Sequence, residues 1–363
     1  MFGLHLENCV ITIYSADHLL RNSRTELYCG ELVPPHECKE RAEYVLDRVR
    51  RQGLGEVMAP ASFGKAPLLR VHDDHYVQFL EDAWREWSAA GNRGEAIPDC
   101  WPARRMMQRR PNSITGKLGY YAMAAETSIS AGTYEAARAA ADVALTGARL
   151  IKDGARAAFA LCRPPGHHAA RDLFGGYCFL NNAAIAAQFL RDAGAQRVAI
   201  LDVDYHHGNG TQDIFYKRDD VLYVSLHADP RTVFPYFLGY EDETGAGRGA
   251  GFTCNYPMPE GTEFSVWREA LTSGLRRIEE FRADALVVSL GVDTFIEDPI
   301  SSFRLQSDDF TTYGCMIATA KLPTLFVLEG GYAVEEIGLN VVNVLTGFES
   351  AGRGISSGAK VEA

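Results

Sequence analysis

Six short runs set what this chain can fold into: CVITIYS (9–15), AAFALCR (157–163), RVAILDV (197–203), VLYVSLH (221–227), ALVVSLG (285–291) and TLFVLEG (324–330). They are rich in β-branched residues, and several are apolar at consecutive positions, so both faces of the strand need cover. That is the pattern of a parallel sheet held between helix layers. Between the runs, apolar residues recur at helical spacing over 67–90, 133–152, 182–193, 265–283 and 334–348. Strand and helix alternating in this way predict one doubly wound α/β domain over residues 1–350. A chain of 363 residues, 47% of them hydrophobic, has enough apolar material for its core. No repeat or low-complexity linker divides it. Residues 351–363, ending GRGISSGAKVEA, are small and polar and are expected to form a flexible tail.

The formal net charge of −11 argues against nucleic acid or an anionic membrane as a partner. No stretch of 18 apolar residues offers a membrane span. The opening MFGLHLENCVITIYS lacks a basic region followed by an apolar signal segment. The eight cysteines form no CxxC pair and no tight cluster, so they read as reduced thiols, and a cytoplasmic protein is expected.

Residues 84–117 depart from this acidic background. Seven basic residues (Arg85, Arg93, Arg104, Arg105, Arg109, Arg110, Lys117) stand against Glu86, Glu95 and Asp99, interleaved with Trp84, Trp87, Trp101, Met106 and Met107. A solvated loop and an interface or substrate-facing loop both fit that composition.

In open parallel sheets, ligands bind beyond the carboxyl ends of the strands. Here the chemistry-bearing residues gather at those ends. Arg163-Pro164-Pro165-Gly166-His167-His168 follows the second run and Asp204 and His206 follow the third. His227 ends the fourth, Asp293 follows the fifth, and Gly330-Gly331-Tyr332 closes the last. Asp204 and His206 are spaced by two, so an extended segment points both to one side. A carboxylate and an imidazole so placed can grip one cation, and Asp293 is the natural third ligand. An Asp/His/Asp set leaves a coordination position open for water, as catalytic zinc sites require. The plain alternative, that Asp204 and His206 merely bond each other or cap a helix, would hold if the pair stood alone. The rigid Pro-Pro-Gly turn fixes where His167 and His168 point, and such imidazoles can serve as base and acid. Asp202 could orient one ring and Asn209 the other. A carboxylate partner would keep His167 cationic, while His168 beside an amide would exchange protons more freely. Tyr332 could donate its hydroxyl to a developing oxyanion.

These residues sit in longer strings: RPPGHHAARDLFGGYCFLNNAAIAA (163–187), LDVDYHHGNGTQDIFY (201–216), VSLHADP (224–230), SLGVDTFIEDP (289–299) and LEGGY (328–332). Together they resemble the histone deacetylase family. NSRTELYCGELVPP (22–35), GEAI (94–97) and GYYAMAAETSIS (119–130) are similar to its bacterial acetylpolyamine amidohydrolase branch. The resemblance implies the arginase/deacetylase-like three-layer α/β fold, with a central parallel sheet flanked by helices. It implies one zinc per subunit (ferrous iron could substitute) on Asp204, His206 and Asp293. It makes His167 and His168 the catalytic pair, with His168 the general base, and Tyr332 the carbonyl polariser. It also implies a potassium site at Asp202, Asp204, His206, Ser225 and Leu226, and a second near Phe215, Arg218 and Val221. Tyr177 and Phe234 match the walls of an acyl tunnel, with Tyr28 and Ile300 at its mouth. Residues 84–126 match an inserted loop that builds a homodimer and narrows the entrance. The implied reaction is hydrolysis of the amide of a small acylated amine, such as an acetylpolyamine.

One departure bears on the substrate. Of two acidic entrance residues typical of the branch, one falls on Glu126, while the other position is the neutral Thr115. Loss of one partly exposed carboxylate weakens attraction for a polycation by roughly 1 kcal/mol, which opens a neutral or apolar amide as the alternative substrate. A two-metal, arginase-like hydrolase would need carboxylates where Gly208 and Phe295 stand. A binding protein without activity would lack one of the reacting groups, and every candidate group is present.

Overall fold

The apolar runs pair edge to edge. A computed structural model, which describes residues 10–357, contains strands β1 (Ile11–Ile13), β2 (Glu26–Tyr28), β3 (Glu31–Val33), β4 (Val57–Met58) and β5 (Ala157–Ala160). They are followed by β6 (Val198–Asp202), β7 (Val221–Ala228), β8 (Thr253–Met258), β9 (Ala285–Leu290) and β10 (Thr324–Leu328). β2 and β3 form a separate antiparallel hairpin. The other eight make one parallel sheet in the order β4-β1-β5-β10-β9-β6-β7-β8. The two last strands in the chain thus slot between β5 and β6. Four neighbouring strands, β5, β10, β9 and β6, therefore end side by side on one edge.

The helices are α1 (Glu40–Gln52), α2 (Asp74–Ala89), α3 (Ile114–Tyr121), α4 (Thr133–Lys152) and α5 (Asn182–Asp192), then α6 (Asn209–Phe215), α7 (Phe264–Phe281), α8 (Ser307–Ala318) and α9 (Ile337–Ser357). They cover both faces, which explains the continuous apolar runs. In β9, Ala285 and Val287 join the core under α2, α4 and α5, while Leu286, Val288 and Leu290 join the core under α1, α7, α8 and α9. Each fully buried Val, Leu or Phe contributes roughly 1.5–3 kcal/mol, the main offset to the cost of the charges buried at the sheet edge. The alanine-rich α4 lies close to the sheet: a methyl group on Gly147 would come within 2.5 Å of Leu325.

All six expected strands are present, five with shorter bounds and β7 one residue longer. The helix expected over 67–90 is divided. A single 3-10 turn (Leu68–Arg70) is followed by extended Asp73, and only then does α2 begin. The break lets buried His72 join two loops: its Nδ1 lies 2.9 Å from Ala170 O, and its Nε2 accepts from Asn181 N at 2.9 Å. Segment 84–126 is not one loop, because its first residues end α2 and 114–121 form α3. The expected tail is shorter too. α9 continues through Ser357, with Ala351 packed on the core, so 351–357 are helical, and 358–363 lie outside the described residues. Among the described residues no helix is long and apolar enough to cross a membrane.

Candidate active site

Strand β6 ends at buried Asp202 and continues into Asp204-Tyr205-His206, while Asp293 follows β9, its neighbour in the sheet. The donor atoms of Asp204, His206 and Asp293 all lie within 4.8 Å of one another. His206 Nδ1 is 3.0 Å from Asp293 Oδ2 and 3.4 Å from Asp204 Oδ1. Main-chain donors hold the carboxylates: His206 N donates to Asp204 at 2.9 Å, Gly330 N to Asp204 at 2.8 Å and Tyr205 N to Asp293 at 2.8 Å. Gly330 leaves room for them, since a Cβ there would lie 2.5 Å from an oxygen of each.

The electrostatics of this cluster call for a cation. Burial and the neighbouring Asp204 carboxylate push Asp293 up, while His167 and His206 outweigh burial to hold Asp204 below the usual carboxylate range. Against its burial, hydrogen bonds that the His206 ring donates to the Asp204 and Asp293 carboxylates raise it to about 9. Two buried carboxylates thus retain a proton on the ring between them. A divalent ion would replace that proton and satisfy both acids. Two carboxylates and an imidazole, spaced to converge, fit zinc.

The turn 163–168 leaves β5 anchored by a buried ion pair, Arg163 Nε to Glu37 at 2.7 Å. Beyond it, Glu329 Oε2 accepts from Gly166 N at 2.6 Å and His167 N at 3.1 Å. The two rings that follow are 4.0 Å apart between centroids. His167 Nδ1 lies 3.1 Å from Asp202 Oδ2, and His168 Nδ1 lies 2.7 Å from Asn209 Oδ1. These partners set the rings apart. Burial alone would lower His167, but Asp202 and then Asp204 raise it to about 10. Burial and the adjacent charge of His167 hold His168 well below the ordinary imidazole range. The Asn209 amide nitrogen donates to His168 O at 3.3 Å, which turns its oxygen toward His168 Nδ1. Nδ1 therefore carries the proton and Nε2 is left as the free base.

Tyr332 is buried, and burial keeps its hydroxyl protonated far above neutral pH. The Arg41 guanidinium lies 4.7 Å from the centre of its ring. With His168 and His206, Tyr332 faces a cavity of about 610 Å³. Tyr28, Glu126, Tyr177, Phe234 and Ile300 also line it. Glu126 accepts from Gly176 N at 2.6 Å, and Tyr177 donates to buried Glu26 at 3.3 Å. Thr115 is not brought to this cavity: it is exposed on the first turn of α3. Arg104, Arg105, Arg109 and Arg110 are likewise exposed and outside the lining.

Ser225 sits opposite Asp202 in the β6–β7 register, with fully buried Leu226 next to it. His227 Nε2 faces Gly239 O at 2.8 Å and so donates, which leaves its Nδ1 to accept from Ser225 Oγ at 2.8 Å. The hydroxyl's lone pairs stay available for a cation. Phe215, Arg218 and Val221 gather where α6 passes into β7, with Arg218 N donating to Phe215 O at 2.9 Å.

Sequence reasoning missed Glu329, Arg41, Asp298, Glu26 and Glu260. Asp298 accepts the Tyr332 main-chain N–H at 2.6 Å, and Glu260 lines the cavity. A second acid and histidine group, Asp73, His75 and Asp172, is partly exposed and has Arg171 bound to Asp73 at 2.8 Å. That arginine already supplies its counter-charge.

The histone deacetylase domain model matches residues 35–348. An acetylpolyamine amidohydrolase of Mycoplana ramosa is 60% identical over 335 residues, covering 92% of this chain and 98% of the relative. Acetylpolyamine amidohydrolase 2 of Pseudomonas aeruginosa is 56% identical over 344 residues, covering 95% of this chain and all of the relative. The crystal structure of the acetylpolyamine aminohydrolase from Burkholderia pseudomallei superposes with a TM-score of 0.90 at 40% identity, covering 94% of this chain and 99% of that one.

Proposed function

The chain belongs to the histone deacetylase family, and from that premise we propose that it hydrolyses the acetyl amide of acetylpolyamines with one zinc ion held by Asp204, His206 and Asp293. One observation carries this reading: three metal donors converge, and one of them, His206, lines a single cavity together with the free imidazole base His168 and the protonated phenol of Tyr332. Zinc bound there supplies Lewis acidity toward the substrate carbonyl and a water molecule.

The remaining steps fall to the chain's own groups. His168 Nε2 takes a proton from the attacking water, its orientation fixed through Nδ1 by Asn209. Tyr332, whose hydroxyl has no protein partner among the described residues, donates to the carbonyl oxygen as negative charge develops there. The His168 proton then passes to the departing amine. His167, kept cationic by Asp202, adds positive charge beside the reacting centre and keeps His168 neutral between turnovers.

The cavity wall favours a cationic amine over the neutral amide that Thr115 suggested. It carries Glu126 and Glu260 and neither lysine nor arginine, and Glu260 has no ion-pair or hydrogen-bond partner among the described residues. The most similar relatives reported above are named for acetylpolyamines as well. We further propose that residues 84–126, with Met106 and Met107 exposed, pair two copies of the chain. Asp202, Asp204, His206, Ser225 and Leu226 would hold potassium, with a second ion near Phe215, Arg218 and Val221. The seven cysteines among the described residues are all free thiols, which suits a reducing, cytoplasmic setting.

Comparing kcat/KM for acetylputrescine, acetylspermidine, an acetyl-lysine peptide and a neutral anilide tests the substrate. Polyamines should lead, and Glu260→Gln should cost them about two- to fivefold while sparing the anilide. A wild-type preference for the anilide would overturn the polyamine assignment.

A further inference from the structure

Among the described residues Tyr332 has no side-chain hydrogen bond, so the place of its hydroxyl depends on its ring packing and its main chain. That main chain is gripped from two sides. Arg41, fully buried and paired with Glu37 at 3.2 Å, donates from Nε to Gly331 O at 2.6 Å and from Nη2 to Glu329 O at 2.5 Å. From the other side, Asp298 Oδ2 accepts from Tyr332 N at 2.6 Å and Ala333 N at 3.3 Å. Its Oδ1 accepts from Ile300 N at 3.1 Å. The turn is thus held by a cation on its carbonyls and an anion on its N–H groups. Asp298 is 5% exposed, so water cannot take over these bonds. It also lies on the loop that carries Asp293, so one carboxylate ties the loop of a metal donor, the cavity rim at Ile300 and the phenol into one unit.

We propose that Asp298 is a positioning residue for amide hydrolysis, setting the distance of the Tyr332 hydroxyl from the substrate carbonyl through the N–H groups of residues 332 and 333. The inference rests on the role given to Tyr332 above. A carboxylate accepts from several N–H groups at once. An asparagine offers a single oxygen and turns an NH2 toward the remaining donors, so Asp298→Asn should loosen the turn. A displacement of about 1 Å can cost on the order of 10²-fold in rate. The bonds it disturbs matter when charge develops on the carbonyl, so the loss belongs in kcat and leaves KM little changed.

A double-mutant cycle on the zinc-loaded enzyme separates positioning from general stability. The four proteins are the wild type, Asp298→Asn, Tyr332→Phe and the double variant, assayed for kcat and KM on an acetylated polyamine with zinc content measured for each. Asp298→Asn should keep its zinc and its KM while kcat falls about 10- to 100-fold. In the Tyr332→Phe background the same change should cost less than about threefold, because its effect runs through the missing hydroxyl. An equal loss in both backgrounds, or no loss in the first, overturns the proposal. If Tyr332→Phe alone retains full turnover, the role of Tyr332 fails, a result distinct from failure of Asp298. Should Asp298→Asn fold poorly, Asp298→Glu, which keeps the charge but shifts the carboxylate, enters the same cycle with the same expectations.

Discussion

Gly330 packs against the two carboxylates of the proposed metal site, and its φ lies outside the left-handed region, so backbone freedom does not explain a glycine there. Space does. A methyl group on its Cα would sit 2.5 Å from Oδ2 of Asp204 and 2.5 Å from Oδ2 of Asp293, about 1 Å inside ordinary contact. Neither acid can retreat freely, because main-chain N–H groups of His206 and Tyr205 fix their other oxygens at 2.9 and 2.8 Å. Gly330→Ala should therefore spread the donors or tilt the turn that supports Tyr332. Disturbing groups that orient metal ligands costs roughly 10- to 100-fold in metal affinity, or about 1.4–2.7 kcal/mol. At saturating zinc a further loss in kcat of up to about 10²-fold should remain, from misplacement of the carbonyl relative to the phenol. Zinc competition against a chromophoric chelator and steady-state kinetics read the two effects separately. Gly94→Ala is the control, since a Cβ there meets nothing within 4 Å. A folded Gly330→Ala enzyme with zinc affinity and kcat within about twofold of wild type would refute the steric argument.

Two other outcomes follow from the electrostatics. Asp202 is the main group raising His167 to about 10, so wild-type His167 stays charged across the neutral range and loses its proton only as pH climbs through about 10. In Asp202→Asn burial acts unopposed by that charge, and kcat should fall as pH rises from about 6 to 9, where the wild type shows no His167 titration; parallel pH profiles would count against the pairing. Removing metal by dialysis against a chelator should lower the melting temperature reversibly, since an ion at 1,000 times its Kd adds about 4 kcal/mol and its loss leaves two buried carboxylates facing each other. Equal melting curves with and without zinc would contradict a site of this kind.

What the sequence disclosed depended on how far apart the interacting residues lie. The six central strands were readable because burial on both faces leaves continuous apolar runs. Edge strand β8, TCNYPM, has a mixed pattern and a proline, and α1, ERAEYVLDRVRRQ, keeps most of its charge in water, so neither stood out. Asp204, His206, Asp293, the histidine pair and Tyr332 were readable because each sits in a short string at a strand end. Glu329 was not, since its partners Gly166 and His167 are more than 160 residues away. Arg41 reaches across 290 residues to Gly331. His72 falls within an apolar helical pattern, and only its bonds to Ala170 and Asn181 reveal why the helix breaks there. The entrance was the hardest part to read: a neutral residue at 115 suggested lost charge, while Glu260 reaches the wall from a segment with no matching signal.

The insertion of β9 and β10 between β5 and β6 has a consequence for how the enzyme matures. If the ion binds as proposed, its three donors cannot converge on the nascent chain until Asp293 has been made, 87 residues after His206. On that proposal the full donor set would form only once β6 and β9 are in register, so tight binding would report on a completed sheet.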